Sequence, residues 1–284
     1  MKKPLIGAHI STAGGIINSV QRALDIGAEC LQIFAGSPRR YDVYNLEEEV
    51  FKDVAESYQK NNLNPVFLHA SYLINLASED PQIYQKSVKS ICDNLIFASK
   101  IKAKGLIYHP GSPKGKDKKA AIEREIKALK DILRQTPSDS TIFIENTAGL
   151  KKIGTNEEEV GYILEKAGSS RLMVCLDTAH ALESGNIINF SEESIENWLS
   201  RWKSKMGIDK IGAFHINDSL TAAQSHHDRH ANIGEGFIGR EGFLNLMKRK
   251  EAKNIPWIIE VPGFDKNGPD KKNIDILKNM RDQI

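Results

Sequence analysis

The sequence predicts an α/β fold, a (β/α)8 TIM barrel in a single domain spanning 1–284. Three observations predict it: eight short apolar runs, a helix-sized interval after each, and polar residues closing seven of them. The runs are PLIGAH (4–9), LQIF (31–34), PVFLH (65–69), GLIYH (105–109), TIFIE (141–145), LMVCLD (172–177), IGAFH (211–215) and PWIIE (256–260). They are four to six residues long and continuously apolar, as parallel strands buried on both faces are. Their last residues fall 25 to 45 positions apart, which leaves room for a helix and two loops each time. A doubly wound sheet with a second small domain is the alternative, but no Pro/Gly/Ser linker or composition shift marks a boundary for it.

The intervals carry helical periodicity in order. Ile17, Val20 and Leu24 predict a helix in the first unit, and Val50, Val54 and Tyr58 one in the second. Over 120–133, Ile122, Ile126, Leu129 and Leu133 recur at i, i+4, i+7 and i+11. After the sixth run, Trp198, Leu199 and Trp202 are expected to pack a helix onto the barrel. The GEG at 234–236 lacks a strand–helix setting and reads as a loop rather than a phosphate cradle.

Composition bounds the function. The chain has 39 Lys+Arg against 37 Asp+Glu, a balance of +2, with 40 % apolar and 27 % charged residues. Mean hydropathy is −0.39. These values exclude collagen-like, low-complexity and wholly disordered chains. No stretch approaches the ~18 uninterrupted apolar residues of a membrane span. The opening MKKPLIGAHI is too short and too interrupted for a signal peptide, so a cytoplasmic protein is expected. Cys30, Cys92 and Cys175 cannot all pair and follow no metal-site spacing, so reduced thiols are expected. A balance of +2 does not announce a nucleic-acid partner.

The run endings carry the chemistry. Seven of the eight runs close on His9, His69, His109, Glu145, Asp177, His215 and Glu260, with His180, Asp228 and His230 just downstream of two of them. In a parallel barrel these ends converge on the face where active sites are built. A lone His there is more often a hydrogen-bonded core residue, and a lone Asp or Glu a helix cap. Seven endings drawn only from His, Glu and Asp are much harder to reach that way. Carboxylates as close as Glu145, Asp177 and Glu260 would be costly without cations between them. Nitrogen and oxygen donors without thiolate suit Zn²⁺, Mn²⁺ or Fe²⁺, and their number points to two or three ions. Such clusters are typical of phosphoester hydrolysis. On the residues alone, a metal-dependent sugar isomerase or epimerase stays open beside a multinuclear hydrolase.

Longer motifs then become recognisable. GAHISTAGG (7–15), HASYLINL (69–76), HPGS (109–112), IENTAG (144–149), VCLDTAH (174–180), HINDS (215–219), DRHANIGEG (228–236) and IIEVP (258–262) cover nearly the whole chain in order. With these the chain resembles endonuclease IV, a family of barrel-fold, metal-dependent DNA repair nucleases acting at abasic sites. The resemblance implies a trinuclear zinc site: His69 and His109 on one ion, Glu145 bridging to a second held by Asp177, His215 and Glu260, and His180, Asp228 and His230 on a third. It leaves His9 beside the site without a ligand role. It implies zinc-dependent hydrolysis of the phosphodiester 5′ to an abasic site in double-stranded DNA, by a hydroxide that two ions share, with Glu145 catalytic. It also implies a monomer, and DNA contacts by Arg39, Tyr72 and Leu73 pushed into the duplex. Three departures from the family pattern stand out: Leu220 and Gln224 after HINDS, the turn LKKIG (150–154), and Ala179 in D-T-A-H. Arg39, Arg40, Lys114, Lys116, Lys118, Lys119, Lys151, Lys152, Arg229 and Arg240 are expected on loops, as a basic rim around the acidic pocket.

Overall fold

The computed structural model describes residues 3–113 and 117–284; Lys114 and Lys116 of the expected rim lie outside the described residues. In chain order the elements are β1 (Ile6–His9), α1 (Asn18–Asp25), β2 (Cys30–Phe34), α2 (Glu48–Lys60), β3 (Val66–His69), α3 (Pro81–Lys100), β4 (Gly105–Tyr108), α4 (Lys118–Gln135), β5 (Thr141–Glu145), α5 (Glu157–Ala167), β6 (Leu172–Asp177), α6 (Thr178–Ser184), α7 (Glu192–Met206), β7 (Ile211–His215), β8 (Asp218–Ser219), β9 (His230–Ala231), α8 (Gly239–Lys248), β10 (Trp257–Ile259) and α9 (Lys271–Asp282). Eight of the strands close into a parallel barrel in the order β1-β10-β7-β6-β5-β4-β3-β2. The short β8 and β9 pair antiparallel outside it.

All eight runs become barrel strands. TIFIE, LMVCLD and IGAFH coincide with β5, β6 and β7, whereas β4 and β10 stop one residue before His109 and Glu260. Those two side chains therefore open loops instead of ending strands. The sixth interval holds two helices, α6 and α7, and Trp198, Leu199 and Trp202 of α7 are buried as expected. The expected face of α1 is corrected: Ile17 and Leu24 are 44 % and 39 % exposed, and the buried side consists of Ser19, Val20 and Ala23. Ser19 sets its hydroxyl on that of Tyr58 in α2 at 2.6 Å.

Helix starts follow capping chemistry. Asp80 accepts from the amides of Gln82 and Ile83 ahead of Pro81, and Asp117 from those of Lys119 and Ala120. Asn156 caps α5, whose first turn carries Glu157, Glu158 and Glu159 on the favourable end of the dipole. Lys118, Lys119 and Arg240 lie in the first turns of α4 and α8, not on loops, and Lys118 pairs with Glu159.

The barrel interior is layered. Cys30, Phe67, Ile107, Phe143, Cys175, Ala213 and Ile258 form one buried apolar cluster, a residue from each of seven strands. Side chains alternate across a strand, so the inward position two residues further on lies one layer higher. That position is Gln32, His69, His109, Glu145, Asp177, His215 and Glu260 in turn. In β1 the lower position is Gly7, where a Cβ would stand 2.0 Å from the Cys30 carbonyl oxygen, and the upper one is His9. The three cysteines are unpaired. Among the described residues no helix is long and apolar enough to cross a membrane.

Beneath this face the last helix fastens the barrel edge where the chain ends meet. Lys278 donates to the Gly27 carbonyl at 2.6 Å, and Arg281 pairs with Glu29 and donates to the Pro4 carbonyl.

Candidate metal centre

Six strand ends deliver six donors to one place, and α6, the loop before β9 and β9 add His180, Asp228 and His230. Three groups form, in each of which one atom per residue lies within 4.8 Å of the others: His69, His109 and Glu145; Glu145, Asp177, His215 and Glu260; and Asp177, His180 and His230. Shared members fuse the three. Glu145 turns Oε2 to His69 Nε2 (3.2 Å) and His109 Nε2 (3.4 Å), and Oε1 to His215 Nδ1 (3.0 Å). Asp228 stands at the mouth, its Oδ1 3.4 Å from His180 Nε2 and 3.6 Å from His230 Nε2. Eight of the nine expected ligands fall in these groups, and Asp228 stands beside the third. That group differs from the expected set, taking Asp177 in the place of Asp228.

The imidazoles are oriented for ligation. His69 Nδ1 donates to the Ala70 carbonyl at 2.8 Å and His180 Nδ1 to the Asn146 carbonyl at 2.9 Å, so the Nε2 atoms face the cluster. His180 Nε2 and His230 Nε2 are buried with no hydrogen bond. Buried donors of nitrogen and oxygen with atoms left unsatisfied fit divalent cations.

The electrostatics agree. Burial opposes ionisation of Glu145, yet His109 and His215 hold its carboxyl well below the usual range. Burial pushes His109 down to about 4, which keeps its ring neutral. His180 is raised well above the ordinary histidine value: burial works against this, but Asp177, Asp228 and Glu145 together outweigh it. Burial raises Asp177. Three carboxylates gathered at the strand ends thus favour positive charge beside them, from protons or from metal.

Several supporting residues are missed by reading run endings alone. Asn146 accepts from the Asp177 amide at 2.6 Å and donates to its carbonyl. Asn217 donates to Asp177 Oδ2 at 2.6 Å and accepts from the Glu260 amide at 2.7 Å. Gln32 is fully buried within reach of His9, His215 and Glu260. Asp218 accepts from the amides of Gly234, Gly236, Ile238 and Gly239, which tethers the GEG loop beside the cluster. His9 approaches Glu260 at 3.3 Å, beside the site as expected.

The centre lies in an open cavity of about 640 Å³, lined among others by His69, His109, His180, Asp228, Arg229 and His230. Phe34 packs edge-on to both His69 and Tyr72. Tyr72 is 69 % exposed and Leu73 40 %. Their loop is braced to the loop carrying exposed Arg39: Ser71 Oγ and the Tyr72 amide both donate to the Pro38 carbonyl, and Tyr41 donates to the Leu73 carbonyl. The three expected DNA-contact residues are therefore neighbours.

Residues 20–280 match the family model of xylose isomerase-like TIM barrels. The chain is 37 % identical over 278 residues to a probable endonuclease 4 of Aquifex aeolicus, 97 % of each chain. It is 33 % identical to a probable endonuclease 4 of Halothermothrix orenii over 96 % of this chain and 99 % of that one. The solved endonuclease IV of Thermus thermophilus superposes with a TM-score of 0.86 at 29 % identity, covering 99 % of this chain and 100 % of the other. A D-tagatose 3-epimerase-like protein shares the fold, with a TM-score of 0.75 at 20 % identity over 98 % of this chain and 97 % of the other.

Proposed function

The chain belongs to the endonuclease IV family of xylose isomerase-like TIM barrels, and from that membership we propose that it hydrolyses the phosphodiester 5′ to abasic sites in duplex DNA, leaving a 3′-hydroxyl and a 5′-deoxyribose phosphate. The observation that carries this reading is the fusion of three donor groups through shared, fully buried carboxylates beneath one open cavity, which His69, His109, His180, His230 and Glu260 line. We assign His69, His109 and Glu145 to one ion, Glu145, Asp177, His215 and Glu260 to a second, and His180, Asp228 and His230 to a third, with Asp177 against the last set. Zinc suits these nitrogen and oxygen donors, and manganese or iron suits part of the set. Bound ions would acidify a water and neutralise charge on the attacking and leaving oxygens.

The side chains supply the rest. Glu145 presents one oxygen to each of two groups, so a single carboxylate spaces them, and its neighbours hold it ionised between them. Arg229 on the cavity wall offers a cation to a phosphate. Tyr72 and Leu73 enter the duplex with Arg39 beside them; unstacking costs least where a base is already missing. Damage selectivity then rests on deformability. The third donor group and the exposed apolar rim favour a polymeric substrate over an open sugar. One chain supplies every donor, so the reading needs no second copy.

The test is a duplex carrying one tetrahydrofuran abasic analogue, incubated with the parent protein, with a zinc chelator, and with Glu145→Ala. A single incision 5′ to the analogue is expected, lost with the chelator and reduced by about 1,000-fold or more in the variant. The analogue cannot undergo β-elimination, so a lyase cannot mimic the result. An uncut duplex, or cutting indifferent to Glu145→Ala, overturns the activity; fewer than two metals per chain overturns the assigned centre.

A further inference from the structure

Three of the histidines facing the cluster fix their outer ring nitrogen on a backbone carbonyl: His69 on Ala70, His180 on Asn146 and, more loosely, His230 on Glu260. His215 does not. It turns Nδ1 to the carboxylates, and its Nε2 donates at 2.8 Å to Oε1 of a side chain, Gln32. That side chain cannot turn over. Its amide nitrogen donates at 2.6 Å to Glu260 Oε1 and lies 2.8 Å from His9 Nδ1. A flipped amide would set its oxygen against the Glu260 carboxylate and its NH₂ against the His215 N–H, losing both bonds at once.

We propose that Gln32 is a positioning residue that ties two ligands of one ion together: the Glu260 carboxylate fixes the Gln32 amide, and the amide fixes His215 in the tautomer that leaves Nδ1 free for metal. The inference rests on the metal-centre reading above, since His215 and Glu260 matter as ligands only there. A backbone carbonyl would hold a histidine whatever the neighbouring carboxylate did. Gln32 makes the orientation of one ligand conditional on the other. The register supports the geometry: Gln32 pairs with His9 across β1 and β2, one pleat below the mouth of the barrel, where water does not compete.

The test uses Gln32→Met, which keeps length and burial but offers neither amide bond, and Gln32→Glu, which keeps an acceptor for His215 Nε2–H while placing an oxygen against Glu260. Zinc content and zinc affinity by chelator competition are measured first, then ¹⁵N–¹H spectra of the zinc-loaded, histidine-labelled proteins. The parent is expected to show a protected His215 Nε2–H. Gln32→Met should keep its fold by circular dichroism, bind the weakest of its zinc ions about 10- to 100-fold less tightly, and lose that protected signal. Gln32→Glu should recover the signal without recovering full affinity. Gln32→Met with parental affinity and an unchanged His215 signal overturns the proposal, because Gln32 would then only fill space. A parent that takes up no zinc overturns the metal-centre reading itself, and is recognised before any variant is compared.

Discussion

Replacing Glu125 by glutamine should make stability less sensitive to pH. Glu125 lies on α4, fully buried, accepting from the Tyr108 hydroxyl at 2.9 Å, with Oε2 lacking a hydrogen bond. Burial pushes its carboxyl from an ordinary 4.5 up to about 7. Between these values the unfolded chain has released the proton that the folded protein still holds. The folded state binds more protons, so stability falls as pH rises through this window. The displacement is worth about 3 kcal/mol. A chain of this length unfolds with an entropy near 0.6 kcal/mol/K, so that energy corresponds to roughly 5 °C in Tm. Scanning calorimetry on parent and Glu125→Gln at pH 4.5 and pH 8, at equal metal loading, isolates the effect. Any constant cost of the substitution cancels in the difference. The variant should gain about 5 °C on the parent between the two pH values. Parallel Tm curves, or a parent that gains on the variant, would refute the reasoning.

Asp218→Ala should strip an acceptor from four loop amides, cost about 3 kcal/mol or more in urea denaturation, and speed amide exchange across 234–239; unchanged exchange there would remove Asp218 from its tethering role. Tyr72→Ala with Leu73→Ala should weaken binding to an abasic duplex by about tenfold while leaving metal content as it was. Parental affinity in a fluorescence-anisotropy titration would show that the exposed pair does not enter DNA.

The barrel is legible in the sequence because strands buried on both faces keep short apolar runs at helix-sized intervals; the run LIFA (95–98) inside α3 falls out of that spacing. The metal donors are legible for a related reason: a His, Asp or Glu closing such a run has no solvent to justify it. The same reasoning misses Gln32, which sits inside LQIF with Phe34 after it; only the pleat, counted from Cys30, assigns it to the donor layer. Asn146 and Asn217 follow ligands within quoted motifs, yet their role depends on which backbone groups the fold brings opposite them. The first helix departs from its periodicity because Ile17 and Leu24 are exposed while Ser19 and Ala23 are buried, Ser19 on the Tyr58 hydroxyl of α2. Periodicity weighted by hydrophobicity cannot register a buried serine.

The closure of the sheet has a consequence for how the protein is held shut. Six donors come from neighbouring staves, β3 to β7 and β10, while β1 and β2 join them through His9 and Gln32, so the strands are tied together at the rim by a connected set of polar contacts. Glu260 and His9 face each other across the β1–β10 joint, where the first and last strands of the barrel meet, and α9 ties the start of β1 to the loop before β2 from below. A cation seated among these contacts would bind the closed form alone, and its affinity would add to the work of prising the staves apart. The contacts would then act as a hoop on a cask, with opening of the wall and loss of the cation coupled.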